Sequence, residues 1–256
     1  MSDLNERLQT YLRTQIESRD IVEAGLFSVY FASRADSQNE SQAVPLKRTT
    51  PADGGPLAKM EQVFASRNVP PRVTFLDAYN PTLAALLSQN GYDLVKEESV
   101  LVCTPHTLRP APEMPGLTTL VLSSDSSLED VQEGLQQTSQ LGFDPFATRM
   151  LDTDAELFRR TLVTGRAFVL RLNKKPVTAG MFCEIVDGVT QVTGITTLKG
   201  FRRRGFAAYL TGYMTKYAFA RQVDTVFITV PADGTDNVYR RVGFKPCATL
   251  LTFEKG

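Results

Sequence analysis

Tryptophan is absent from the 256-residue chain, histidine occurs once and cysteine three times. The lone histidine, His106, excludes metal sites built from several imidazoles. Cys103, Cys183 and Cys247 are odd in number and far apart, which argues against both a disulfide framework and a CxxC metal site. The expectation is a protein of a reducing compartment, the cytosol, with no bound metal. Neither sign of charge is in excess, since 28 lysines and arginines face 28 aspartates and glutamates. No global positive field is available to collect phosphate backbones or anionic lipid, so neither nucleic acid nor membrane is an expected partner. No apolar run is long enough to span a bilayer. The opening MSDLNERLQTYLRTQIESRD alternates charged and apolar residues at helical spacing and has no uninterrupted apolar core, so it does not read as a secretory signal. What is present is ordinary for a folded chain: 42% apolar and 22% charged residues, enough for a sizeable core in one large domain or two small ones.

Proline divides the chain. The run TPHTLRPAPEMPG, Thr104 to Gly116, holds four prolines, which block helix interiors and central strands, and reads as a linker. This gives an N-terminal domain at 1–103, the linker at 104–116 and a C-terminal domain at 117–256. A second segment, Ser33 to Pro56, is rich in Ser, Gln, Pro and Gly and reads as a long exposed loop inside the first domain. Around these breaks the periodicity predicts a helix at Asp3–Arg19, a strand at Val22–Ala32, a helix at Leu57–Arg67, a strand at Arg72–Asp77, a helix at Pro81–Asn90 and a strand at Tyr92–Cys103. The second half reads as a strand at 117–123, helices near 126–139 and 152–163, and strands at 166–172, 176–186 and 189–198. A long helix at 204–221, a strand at 224–230, a short helix at 235–241 and a strand at 246–253 follow. Helices and strands mixed in this way define an α/β or α+β class.

The halves rhyme. VTFLDAYNPTLAALLSQNGY and VFITVPADGTDNVYRRVGF each run strand, loop, helix, glycine, aromatic. A glycine suits a left-handed helix stop, and the aromatic after it begins a strand. The same order is common in α/β proteins, so the pattern alone leaves relatedness open.

The densest chemical signal is the strand-like VTGITTL, then Lys199-Gly200-Phe201-Arg202-Arg203-Arg204-Gly205-Phe206-Ala207-Ala208, then the helix-like YLTGYMTKYAFARQ. A glycine turn between a strand and a helix N-terminus gathers unpaired N–H groups and the positive end of the helix dipole, which suits phosphate. Gly205 has no Cβ to obstruct an anion, and Ala207 and Ala208 keep the first turn small. The arginines add attraction and hydrogen bonds to peripheral phosphate oxygens. Taken by itself, RRRG fits an exposed basic turn capping a helix better than a ligand loop, and its context has to decide. Neither GxxxxGK[ST] nor GxGxxG is present, which leaves Walker and dinucleotide loops unsupported.

The remaining pattern is R-x-x-G-x-A, here Arg202, Gly205 and Ala207. With it, residues 117 to 254 resemble the GNAT acetyltransferase superfamily, whose cofactor loop is [Q/R]-x-x-G-x-[G/A] between a strand and a helix. Downstream, Tyr239-Arg240-Arg241-Val242-Gly243-Phe244 looks like that family's Y-x-x-x-G-F signature. The run GITTLKGFRRRGFAA is similar to a subset with an RRRG loop, several of which have a degenerate tandem copy of the fold. The resemblance implies two GNAT-like domains, each a mixed, mostly antiparallel sheet flanked by helices. The first lacks a cofactor loop and closes one side of the substrate cleft. Lys199 stands where many members have proline, and both Asp233 and Asn237 lie near a position where relatives have asparagine.

The implied activity is transfer of acetyl from acetyl-CoA to an amine, in a ternary complex and with no metal. Ile195, Thr196, Thr197 and Leu198 would run beside the pantetheine arm, with amides near Thr197 and Leu198 facing the thioester oxygen. Arg202, Arg203, Arg204, Gly205, Phe206, Ala207 and Ala208 would take the diphosphate, and Asn237 would contact the cofactor. Deprotonating an amine at neutral pH costs about 4–5 kcal/mol, so a base is needed. Glu184 is the first candidate, with Asp187 and Asp144 in reserve, and an outward-facing strand residue is the alternative for Glu184. Tyr239 stands where the family places the proton donor to the leaving thiolate; packing on the sheet is a role it can fill at the same time. The segment Leu141 to Phe146 is expected on the acceptor side or as a docking cluster for the first domain. The neutral overall charge favours a small-molecule acceptor over a basic tail or RNA, with the chain a monomer or homodimer. A non-catalytic CoA-binding sensor or scaffold is the alternative function, and a third reading makes the arginines an RNA patch, although the wider basic face of such sites is missing.

Overall fold

A computed structural model describes residues 3–17, 21–31, 41–50, 54–111, 113–134, 152–232 and 237–256. These fall into two compact units: Met1–Val100 with Thr229–Asp233 and Cys247–Gly256, and Leu101–Ile228 with Gly234–Pro246. The architecture is mixed α/β with mostly antiparallel strand pairs flanked by helices.

In the first unit, helix α1 (Leu4–Glu17) precedes a hairpin of β1 (Ile21–Ala24) and β2 (Phe27–Tyr30). The single strand expected over Val22–Ala32 is therefore two, broken at Gly25, whose φ of +67° reverses the chain. Strand β3 (Gln42–Pro45) pairs with β2 and lies inside the stretch expected to be a loop. Four residues ending in proline and flanked by polar chain give no alternation to read, yet Ala43, Val44 and Pro45 are buried. Helix α2 (Gly54–Ala65), β4 (Arg72–Leu76), α3 (Leu83–Gln89) and the start of β5 (Asp93–Cys103) follow. The core gathers Phe27, Phe31, Phe64, Phe75 and Phe253 with aliphatic residues of α2 and α3.

Phe253 comes from the last strand, β11 (Lys245–Glu254), which pairs antiparallel with β4 from Leu250↔Leu76 to Glu254↔Arg72. Asp77 secures the entry of that strand: its N–H donates to the Thr249 carbonyl at 2.9 Å, and its Oδ1 accepts the Thr249 N–H at 2.8 Å. At the far end Arg72 and Glu254 form an ion pair.

The second unit contains β6 (Leu117–Leu122), α4 (Leu128–Gly134), α5 (Asp152–Thr161), β7 (Arg166–Leu172), β8 (Lys175–Phe182) and β9 (Val189–Thr197). It continues with α6 (Phe206–Phe219), β10 (Thr225–Pro231) and α7 (Asn237–Val242). Strands β6 to β9 form an antiparallel meander, whereas β9 and β10 are parallel and joined across α6. The proline-rich stretch lies against the helices here: Arg109 N–H donates to the Val242 carbonyl at 2.8 Å, and the Thr107 carbonyl abuts Gly243.

The rhyme read in the sequence is present as elements. A parallel pair (β3/β4, β9/β10) connected through a helix leads to a short helix, a glycine at positive φ (Gly91 +81°, Gly243 +108°) and a strand whose entering aromatic, Tyr92 or Phe244, is buried.

Candidate functional site

Helix α6 begins at Gly205, which adopts φ 85°, ψ −3°, the left-handed conformation that costs other residues roughly 1–2 kcal/mol. The first bond of the helix is donated by Tyr209 N–H to the Gly205 carbonyl at 3.0 Å. That leaves the N–H groups of Phe206, Ala207 and Ala208 without an intrahelical acceptor, at the positive end of a 14-residue helix. The turn before it is held by its own bonds. Phe201 N–H donates to Leu198 C=O at 2.8 Å, and Arg202 Nε donates to Thr197 C=O at 3.0 Å.

Strand β9 has two irregularities. Its ladder with β10 runs only through Val189, Thr190 and Gln191, so among the described strands of this unit its outer edge has no partner from Val192 onward. Its register with β8 also slips: Ala179 faces Thr196 but Met181 faces Thr193, so Gly180 opposes both Gly194 and Ile195. Gly194 sits at φ +62° in this bulge. An extended, amide-bearing ligand can add to such an edge as a strand does.

These features meet in a cavity of about 550 Å³. One wall is the end of β9, with Ile195, Thr196 and Thr197; another is the loop and first turn, with Arg202, Arg203, Gly205, Phe206, Ala207 and Ala208. Asn237, also expected, lines it too. Phe201 of the loop and Val238 and Arg241 of α7 line it as well and were not foreseen; the last two are singled out only by knowing which face of α7 is turned inward. Three arginines and no carboxylate line the space, so its field attracts anions.

Four expected residues stand elsewhere. Leu198 does not line the cavity, and its N–H donates to the Val177 carbonyl at 3.0 Å; the expected free amide there does not exist. Arg204 lies over the rings of Phe201 and Phe206, at 5.8 and 5.3 Å, and braces the loop from outside. Glu184 is exposed, two residues past the end of β8, because that strand stops at Phe182 and not at 186. Thr190 donates its hydroxyl to the Glu184 carbonyl at 2.8 Å. Thr190 and Ile195 are five residues apart on β9, or ~16 Å at about 3.3 Å per residue. Tyr239 is half-buried on α7, its ring 6.4 Å from that of Phe244. It does not line the cavity; Asn237, Val238 and Arg241 share one face of α7, and Tyr239 projects from another. Burial pushes its phenol pKa up, so it is protonated through neutral pH and able to donate. Asp144, Asp233 and the segment Leu141 to Phe146 lie outside the described residues. Among the described residues no cluster of His, Cys, Asp or Glu is arranged to hold a metal, and no helix is long and apolar enough to cross a membrane.

A helix terminus with free first-turn amides thus lies beside an open strand edge. Residues 131–244 match the acetyltransferase (GNAT) family. The whole chain is similar to a GCN5-related N-acetyltransferase from Kribbella flavida, at 26% identity, covering 100% of this chain and 96% of that one with a TM-score of 0.81. A GCN5-related N-acetyltransferase from Sphaerobacter thermophilus shares the fold at 17% identity, 90% and 76% coverage and TM-score 0.61. So does a tandem GNAT protein of the clavulanic acid biosynthesis pathway, at 11% identity, 90% and 79% coverage and TM-score 0.62. No curated protein sequence matches the chain. The family match and these structural neighbours support an acyltransferase, with acetyl transfer as its general chemistry.

Proposed function

We propose that the protein transfers acetyl from acetyl-CoA directly to the nitrogen of a small-molecule amine, in a ternary complex. The observation that carries this reading is the cavity itself: loop amides, arginines without carboxylates, and an unpaired β9 edge leading inward. The first-turn N–H groups of α6 would hold the diphosphate, and Ala207 and Ala208 let it approach. The edge of β9 would bind the pantetheine amides. The bulge at Gly194 turns main-chain groups out of the β8 ladder, which supports placing the thioester oxygen near Gly194 and Ile195, now that the Leu198 amide is engaged.

None of the three cysteines lines the cavity, which supports direct attack by the amine over a cysteine-bound acyl intermediate. Tyr239 is proposed to protonate the departing thiolate. The amine's proton is proposed to leave through water toward Glu184, a path supported by the separation along β9 between Thr190, bonded to the Glu184 carbonyl, and Ile195. The experiment is free-thiol release with a panel of small amines. Amine-dependent release, with both substrates required before any CoA appears, supports the reading. Binding of acetyl-CoA with no release for any amine would support the sensor or scaffold alternative.

The N-terminal part is proposed to be a GNAT-like domain that takes no cofactor, because its own side chains fill the corresponding positions. The parallel pair β3/β4 keeps one register pair, Ala43↔Val73, and the buried carboxamide of Gln9 bridges the gap beyond it. Its Nε2 donates to Pro45 C=O at 3.5 Å and its Oε1 accepts Leu76 N–H at 3.2 Å. In the loop after β3, Thr49 N–H donates to Oδ1 of buried Asn80 at 2.6 Å, where the other unit has amides left for a ligand.

A further inference from the structure

We propose that Arg241 is the residue that holds the 3′-phosphate of coenzyme A, an inference that rests on the acyl-CoA reading of the cavity. Coenzyme A presents two separate anionic centres, a diphosphate and, across one ribose, a phosphomonoester bearing about −1.5 to −2 charges near pH 7. The α6 terminus is a single site: its three free N–H groups, Phe206 to Ala208, converge on one group. The second anion therefore needs a cation of its own, set apart from the loop.

Arg202 and Arg203 belong to the loop wall, and Arg202 Nε is already committed to the Thr197 carbonyl. Arg241 stands on a different wall. It extends from α7 on the face shared with Asn237 and Val238, it is exposed, and it forms no ion pair among the described residues. No lining carboxylate competes for it. A guanidinium matches a phosphomonoester through two parallel N–H bonds, a geometry a lysine in its place would not reproduce. Arg240, the next residue, is not part of the lining and serves as the internal control.

The test compares CoA with dephospho-CoA, which differs only in lacking the 3′-phosphate, by calorimetric titration of the wild type, Arg241→Gln, Arg203→Gln and Arg240→Gln; circular dichroism checks that each variant is folded. The wild type should prefer CoA by about tenfold. Arg241→Gln should bring that ratio close to one by weakening CoA alone, while Arg240→Gln and Arg203→Gln leave the ratio as it is. Equal weakening of both ligands by Arg241→Gln, or a ratio lost in Arg203→Gln and kept in Arg241→Gln, would overturn the assignment. A wild type that binds neither ligand would instead remove the acyl-CoA reading beneath it.

Discussion

At the scale of single residues, glycines show most sharply what the site requires. A Cβ on Gly243 would fall on the Thr107 carbonyl oxygen, 2.8 Å from its carbon and 3.2 Å from Arg109 N, all backbone atoms, at a φ of +108°. We predict that Gly243→Ala destabilises by about 3 kcal/mol, which in a chain of this size lowers Tm by roughly 6–12 °C in a calorimetric melt. Gly55, in the first turn of α2, has nothing within 4 Å of its added Cβ. Gly55→Ala should leave Tm unchanged or raise it, since Ala saves about 0.4–1 kcal/mol of unfolded-chain entropy. For chemistry the informative residue is Tyr239. Its packing against Phe244 is kept by phenylalanine, so Tyr239→Phe should lower kcat by about 100-fold while the affinity for acetyl-CoA stays within about twofold. An unchanged kcat would remove Tyr239 from the proton path. Glu184→Gln, acting through water, should cost less than Tyr239→Phe, and a larger loss would contradict the distance argued along β9.

Elements were legible in the sequence wherever period and punctuation agreed. The β9–loop–α6 unit is the clearest case: a β-branched run, a glycine at the turn and two alanines after it mark the loop wall of the cavity through locally consistent choices, whereas the β9 wall is what the resemblance to GNAT proteins implies. Strand β3 was not legible, since its four residues carry no period and its stability comes from β2 and from the Gln9 bridge, supplied some thirty residues away. The β8 end was misjudged for a similar reason: Cys183 to Val186 continue an apolar pattern, but the chain there departs from the ladder. Arg241 and Val238 were missed because a six-residue helix has no moment from which to read its inward face. The Gln9 bridge is testable at this scale. Gln9→Ala would leave the Leu76 N–H and the Pro45 carbonyl buried without partners, and should cost about 2–3 kcal/mol in denaturant unfolding. Hydrogen exchange at Leu76 should rise at the same time; unchanged protection there would mean the bridge does not hold β3 and β4 together.

For the molecule as a whole, burial raises the pKa of Tyr79, Tyr92 and Tyr239 and of the thiols of Cys103 and Cys247. Desolvation is the largest cause in each; Glu61 adds to it at Tyr92, and Asp3 and Asp77 add to it at Cys247. Raised folded values mean that the native state keeps these protons after the unfolded chain has begun to lose them. Their contribution is therefore fully present below about pH 8.5–10, where unfolded thiols and phenols ionise, and is lost as pH rises through the folded values. Urea midpoints should fall progressively above about pH 9, and a midpoint constant to pH 11 would contradict this.

The central claim is that the amides at the start of α6 receive the diphosphate of coenzyme A. Titration calorimetry of the wild type and Gly205→Glu with acetyl-CoA tests it directly. Glutamate at this position strains the left-handed turn and places a carboxylate against the phosphates, so saturable one-to-one binding in the wild type should weaken by on the order of 100-fold, or ~2.7 kcal/mol, in a variant whose circular dichroism is native-like. Equal affinity in the two proteins, or no binding to either, would contradict the account.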